Sequence, residues 1–466
     1  MPDHYDIAVV GAGPAGGNAT LAAAQSGARV ILIDEQPKAG GQVWRSKSAS
    51  ILSSPATPEG VAGDTLRASL ADGSITHLPN TRVWDIRRQD DVWSLQVLQD
   101  ETATQITARA LILATGAREY VQPVRGWTTP GVIGLAGATA LFKQSLTLPG
   151  NKTVVSGTGP LVFYVASEIR RLGGTVAAVV TPNTRADWAR AMPAMIGQPK
   201  LMARGAIWIT DLMLAKVPIL WGHAISEVSG ADRVTGVQTH RLRDNTLGPS
   251  YSADSLCLGH GLIPNIEAAQ MLGVAIRHDP TLGGWVADAD PDGATTVKDL
   301  YLCGDGCGIR GAAAAGLQGI LAGTRAANDI AGKPTTASTR KWMRAARFGK
   351  AMTALSIPKP KLEALTTNDT ILCRCESLTC SDISAEIDRG ATSTTSVKSG
   401  QRAGMGPCGG KYCQTAIAAL IAQQTGKPLA DVPPPAPRPP LRPVPLGQVA
   451  GDFDYDDLPI PKPAPL

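Results

Sequence analysis

At 466 residues the chain is too long for one ordinary domain and suits roughly two to four. Apolar residues at 43% exclude global disorder, and a net charge of +5 with only 18% charged residues gives no reason to expect a nucleic-acid partner. No run of about 18 uncharged apolar residues occurs, because the longest candidate, around 206–226, is broken by Asp211 and Lys216.

The first strand signal begins at Tyr5, which leaves no room for a signal peptide. The expected location is cytoplasmic, with peripheral attachment at the inner face of the membrane left open. Tyr5 to Val10 reads as a strand, Gly11-Ala12-Gly13-Pro14-Ala15-Gly16 as a tight turn, and Gly17 to Ser26 as a helix. Val30-Ile31-Leu32-Ile33 then reads as a buried parallel strand ending at Asp34 and Glu35. In such a unit the first glycine permits the turn, and the second admits a pyrophosphate to the backbone. The third lets helix and strand pack closely, while the acid after the second strand meets ribose hydroxyls. The anion faces the helix N-terminus. An adenine dinucleotide is the expected ligand, and a glycine-rich turn without ligand is the bland alternative.

A further strand ends in Ala114-Thr115-Gly116. From Lys152 the pattern repeats: strand, Gly157-Thr158-Gly159, helix, strand at Val176–Val180. Here Val162 stands where the third glycine belongs, and Thr181 stands where the acid belongs. This second unit reads as a retained scaffold with impaired nicotinamide use. Leu300–Cys303 is a strand running into Gly304-Asp305, followed by a small-residue helix. Residues 336–370 read as a basic helical connector. After Asp431 the prolines open an extended arm that lies on a surface or stays mobile.

Five of the eight cysteines fall between 373 and 413. Cys373, Cys375, Cys408 and Cys413 form a four-thiol set that suits an iron–sulfur cluster. Zinc competes, although the one-residue gap between the first two fits its usual spacing less well. Cys380 lies outside the pattern and reads as a core residue. Cys303 and Cys307 read as structural thiols, and His260 as a structural histidine. Trp188, Trp208 and Trp221 read as core or interface anchors. Lys398 and Arg402 either raise the potential of a cluster or form a solvated face. No catalytic residue is singled out.

The motifs of the first unit, with Ala114-Thr115-Gly116 and Gly304-Asp305, resemble flavoproteins of the glutathione-reductase type. That resemblance implies FAD, with Asp305 on its ribityl chain or phosphates; another adenine nucleotide in the same slot is the alternative. The text around the four cysteines resembles the [2Fe–2S] domain of bacterioferritin-associated ferredoxin, which implies all four as ligands. The chain also carries Asp34-Glu35-Gln36-Pro37, Gly40-Gly41-Gln42-Val43-Trp44-Arg45, Gly126–Val132 and Gly259–Asn265. With these it resembles the alpha subunits of bacterial opine oxidases and of hydroxyproline and proline dehydrogenases, and the B-type subunit of hydrogen cyanide synthase.

The resemblance implies an α/β fold with two Rossmann-like domains of glutathione-reductase type. The FAD domain spans 1–148 and 250–335, the inserted domain 149–249, the connector 336–370, the α-rich [2Fe–2S] domain 371–425 and the Pro-rich tail 426–466. The FAD contacts expected are Gly11, Gly13, Pro14, Ala15, Gly16, Asp34, Glu35, Gly41, Gln42, Ala114, Thr115, Gly116, Gly304 and Asp305. It also implies a beta subunit resembling D-amino-acid oxidases that oxidises the amine, FMN at a subunit interface, and room for a small gamma subunit. The expected function is therefore an electron-transfer subunit of an amino-acid or opine dehydrogenase. A self-sufficient NAD(P)H reductase and a non-catalytic scaffold are the rival readings.

Overall fold

The computed structural model describes residues 3–51, 56–71, 73, 75–336, 338–357 and 360–450; the end of the proline-rich tail lies outside them. Strands Asp3–Val10 and Val30–Ile33 pair in parallel across the helix Pro14–Gln25. All four residues of the second strand are buried, as a central parallel strand covered on both faces requires. Val30 and Leu32 join one core cluster with the helix, and Ile31 and Ile33 join the cluster on the opposite face. Ile75–Leu78 extends the sheet beyond the second strand.

On its other side, Asp3–Val10 pairs with the long strand Thr102–Leu113. That strand is shared. Its first part runs antiparallel to Val92–Gln99, which leads on to Thr81–Gln89, while Leu111–Leu113 runs parallel to Leu300–Leu302. Seven strands result. The helix Ala312–Ile330 crosses Pro14–Gln25 so closely that a Cβ at Gly319 would stand 2.0 Å from the Ala15 carbonyl oxygen. Only a glycine permits that approach.

The second sheet has five parallel strands in the order Ile219–Trp221, Thr175–Thr181, Lys152–Gly157, Ser255–Gly259 and Val132–Gly134. It therefore takes in strands on either side of 149–249. The chain crosses between the domains at Ala117–Glu119 and returns at Leu262–Pro264, which pair antiparallel, so everything between those crossings belongs to the second unit. A three-stranded antiparallel sheet, His223–Ser229, Gly236–Arg241 and Thr246–Ser252, packs beside it.

The helix Arg340–Ala354 leads to the cysteine module. This opens with the hairpin Ile371–Cys373 and Leu378–Thr379, followed by helices Cys380–Asp388, Thr394–Gln401 and Gln414–Thr425. Capping boxes at Thr379/Asp382 and Ser393/Ser396 start its first two helices. Ile383, Val397, Ile417 and Ile421 are fully buried at its centre, with Cys380 among them as a core residue. Among the described residues, no helix is long and apolar enough to cross a membrane.

Candidate functional site: a dinucleotide cavity bordered by a four-thiol module

A cavity of about 980 Å³ runs from the first glycine turn, between the two nucleotide-type domains, to the cysteine module. Gly11 holds φ +103°, and a Cβ there would lie 2.4 Å from the Ala114 carbonyl oxygen, so the turn is closed against the neighbouring strand. At Gly13 an added Cβ would meet only the Gly41 Cα, at 3.9 Å; this side of the turn is open to the cavity. The helix behind it begins with Pro14 and carries no acid or side-chain cap in its first turn. Its N-terminal partial charge is thus left for an anion. The cradle fits the diphosphate of a dinucleotide.

The residues expected from sequence come together. Gly11, Gly13, Pro14, Ala15, Asp34, Glu35, Gly41, Gln42, Ala114, Thr115, Gly116 and Asp305 all line the cavity. Gly16 and Gly304 stand behind it as packing residues: a Cβ on Gly16 would overlap the Gly11 carbonyl oxygen at 1.7 Å, and one on Gly304 would meet the Ala15 Cβ at 2.7 Å.

Asp34 accepts hydrogen bonds from the N–H of Ala12 and, at 2.6 Å, from that of Gln36. It braces the turn, and burial holds its carboxyl above the usual range despite those donors. Glu35 is the more exposed acid and pairs with Arg442 at 2.9 Å. Asp305 accepts from the N–H groups of Arg310 at 3.1 Å and Gly311 at 3.3 Å, and burial raises its carboxyl too.

Several cavity residues escape a reading of the sequence. Asn265 clamps the Thr115 turn, donating to the Thr115 carbonyl at 2.9 Å while its own backbone carbonyl accepts from Thr115 Oγ1 at 2.9 Å. Arg118 pairs with Glu267 at 2.8 Å and donates to the Lys411 carbonyl at 2.8 Å, joining the first domain to the cysteine module. Glu119 sits on the N-terminus of the helix Leu135–Ser145, accepting from Ala136 N–H at 2.8 Å. Burial pushes its carboxyl up to about 7, although the helix N–H groups pull the other way. Asn265 closes the Gly259–Asn265 motif, whereas Arg118 and Glu119 are marked only by their nearness to Gly116.

The second glycine turn is filled by protein. Gly159 donates to Asn183 Oδ1 at 2.9 Å, and Asn183 Nδ2 donates to the Leu355 carbonyl at 2.8 Å. A Cβ on Gly159 would lie 2.3 Å from Ser356 Oγ, and Thr158 Oγ1 donates to the Ser356 carbonyl at 3.3 Å. The connector thus occupies the place where a diphosphate would lie. Val162, in the position of the third glycine, is fully buried in the domain core. His260 accepts from Gln122 N–H at 3.0 Å through Nδ1, and burial depresses its pKa to about 3, so it is a neutral structural imidazole. Cys303 and Cys307 are buried free thiols.

In the cysteine module the four sulfurs stand as two pairs, Cys373 with Cys413 and Cys375 with Cys408. Among the described residues, no three His, Cys, Asp or Glu side chains already surround one metal-sized point. Two thiol pairs suit a two-iron group better than a single tetrahedral ion. The hydrogen bond from Cys413 draws the Cys373 thiol down to about 5, and the backbone N–H groups of Gly404, Glu376 and Cys375 act in the same direction. Amides aimed at sulfur favour thiolate, the form that binds iron. Gly406 leaves no space for a side chain, since its Cβ would lie 2.2 Å from that of Cys375. Arg402 is exposed and pairs with Glu376 at 3.2 Å.

The module meets the cavity through Arg374, whose guanidinium lies 5.0 Å from the Trp127 ring and 4.9 Å from the Tyr412 ring. All three line the cavity, and Trp127 Nε1 donates to the Ile371 carbonyl at 2.7 Å.

Residues 5–319 match the pyridine nucleotide-disulphide oxidoreductase family. The chain belongs to that family. Residues 371–423 match the BFD-like [2Fe-2S] binding domain. The A-type subunit of opine oxidase from Rhizobium meliloti (strain 1021) is 33% identical to this oxidoreductase, over 96% of this chain and 98% of its own length. Hydrogen cyanide synthase subunit HcnB of Pseudomonas protegens is 29% identical, over 94% and 96%. The fold is shared with L-proline dehydrogenase from P. horikoshii, at a TM-score of 0.73 and 21% identity, covering 96% of this chain and 80% of that one. This member of the family is thus an oxidoreductase subunit whose cofactors are FAD and a [2Fe–2S] cluster.

Proposed function

We propose that this chain is the electron-transferring alpha subunit of a hetero-oligomeric dehydrogenase that oxidises the CH–NH bond of an amino acid or opine. One observation carries the reading: Arg374, between the ligand candidates Cys373 and Cys375, lines the same cavity as Gly13 and Asp305. The cluster loop and the dinucleotide cradle share a wall.

When bound, FAD supplies two-electron chemistry with single-electron release, and the cluster supplies a one-electron carrier. This chain's own residues do the holding. Gly13 and the helix N-terminus receive the diphosphate, Asp34 fixes the turn, and Asp305 stands at the ribityl position. Cys373, Cys375, Cys408 and Cys413 hold the irons, and Arg374 keeps the cluster loop against the cavity.

The amine itself is oxidised on a beta subunit resembling D-amino-acid oxidases, with FMN at the interface; a small gamma subunit is a further component. Support for partners comes from relatives that are themselves named as subunits. For an opine the oxidised product is an imine, which water splits into an amino acid and a 2-oxo acid. All eight cysteines are free, which fits a reducing cytoplasmic setting.

A self-sufficient NAD(P)H reductase is disfavoured by Ser356 in the second glycine turn and by Thr181 at the ribose position. Anaerobic titration of the purified chain tests this. Dithionite is expected to bleach flavin and cluster bands, whereas NADPH leaves them unchanged; rapid bleaching by NADPH would overturn the proposal. Co-purification is expected to recover a flavoprotein of the amino-acid-oxidase type.

A further inference from the structure

The proline-rich segment runs on past the cysteine module. Leu429 and Val432 pack into the module core, and Thr394 Oγ1 donates to the Pro433 carbonyl at 2.8 Å. The chain then crosses to the first domain, where Leu441 N–H donates to the Trp84 carbonyl at 2.7 Å and Leu441 packs against the core cluster that includes Val83. Arg82 donates to the Pro443 carbonyl at 2.7 Å. Between these two fixings Arg442 reaches Glu35, and both Leu441 and Arg442 line the cavity.

We propose that Leu441 and Arg442 complete the adenosine half of the dinucleotide site, as an apolar wall against the adenine and a guanidinium donor to the ribose and its phosphate. The inference rests on the reading that FAD lies with its adenosine along Asp34 and Glu35. Three features converge on it. Glu35 stands immediately after the strand end where ribose is received, and among the described residues its ion pair is with the strap. An adenine there needs apolar cover on both sides, which Val83 and Leu441 provide from different segments. Prolines at 437, 439, 440, 443 and 445 restrict the strap before it docks, so little chain entropy opposes its ordering.

The test uses the full chain stripped of flavin and compares the binding of FAD and of ADP by calorimetry. The variants are Leu441→Ser, Arg442→Ala and Arg442→Lys, with iron per chain as the integrity control. Arg442→Ala is expected to weaken both ligands about tenfold, as loss of a charged hydrogen bond does, and Arg442→Lys to recover part of it. Leu441→Ser is expected to weaken both as well. Unchanged FAD and ADP affinity in iron-replete Arg442→Ala would overturn the strap assignment. If Leu441→Ser loses iron through misfolding, Arg442→Ala decides, since its side chain is 32% exposed and carries no core packing. Wild-type chain that binds ADP but not FAD would overturn the dinucleotide reading, while the ADP comparison still decides the strap. Binding of neither ligand would overturn both.

Discussion

Cys373 is held by more groups than any other candidate ligand. It is buried, takes a hydrogen bond from Cys413 and is faced by three backbone N–H groups. Cys373→Ser and Cys413→Ser are expected to abolish the iron absorbance, whereas Cys380→Ala, a core substitution outside the set, keeps iron content unchanged; metal analysis of the three proteins checks this. Glu119 gives a second expectation. Its folded carboxyl keeps its proton up to about 7, while a solvated glutamic acid releases it at 4.5. The unfolded chain therefore binds fewer protons in that interval, so stability is greatest below it and falls as pH rises to 7, by about 3 kcal/mol at most. Glu119→Gln is expected to flatten this slope in denaturation curves taken at pH 5, 6, 7 and 8. A slope unchanged by the substitution would assign it to other groups.

At the scale of elements, the crossing of Pro14–Gln25 and Ala312–Ile330 ties the first glycine turn to Gly304 and Asp305. Gly319→Val would drive a side chain into the Ala15 backbone. Such overpacking costs about 1–3 kcal/mol. It is expected to lower the melting temperature and the flavin retained per chain together, which absorbance and thermal scans would register. This level was the most legible in the sequence. Gly11–Gly16, Asp34 and Gly304–Asp305 each announce themselves within a few residues, because turn, helix start and strand end are local events. The weakened second turn was legible as a lack, through Val162 and Thr181. What fills it was not, because Ser356 lies 198 residues from Thr158 and nothing local to either marks the encounter. Asn265, Arg374 and Arg442 escaped for the same reason: each acts at a distance in sequence that spacing rules do not span.

For the whole molecule, the decisive relation is the seating of the cysteine module on the cavity through Trp127, Arg374 and Arg118. Trp127→Phe keeps an aromatic ring but deletes the bond to the Ile371 carbonyl. It is expected to cost about 1 kcal/mol and to make the segment before Ile371 more open to protease. Limited proteolysis with iron analysis of the fragments checks this. The shared strand Thr102–Leu113 has a consequence of another kind. Its end, Leu111–Leu113, stays unpaired on one side until Leu300–Leu302 is made. A nascent chain leaving the ribosome must therefore carry an open sheet edge through the synthesis of the entire intervening unit. Closure of the amino-terminal half is a late event in biogenesis, and shielding of that edge by chaperones is where yield of the intact protein is decided.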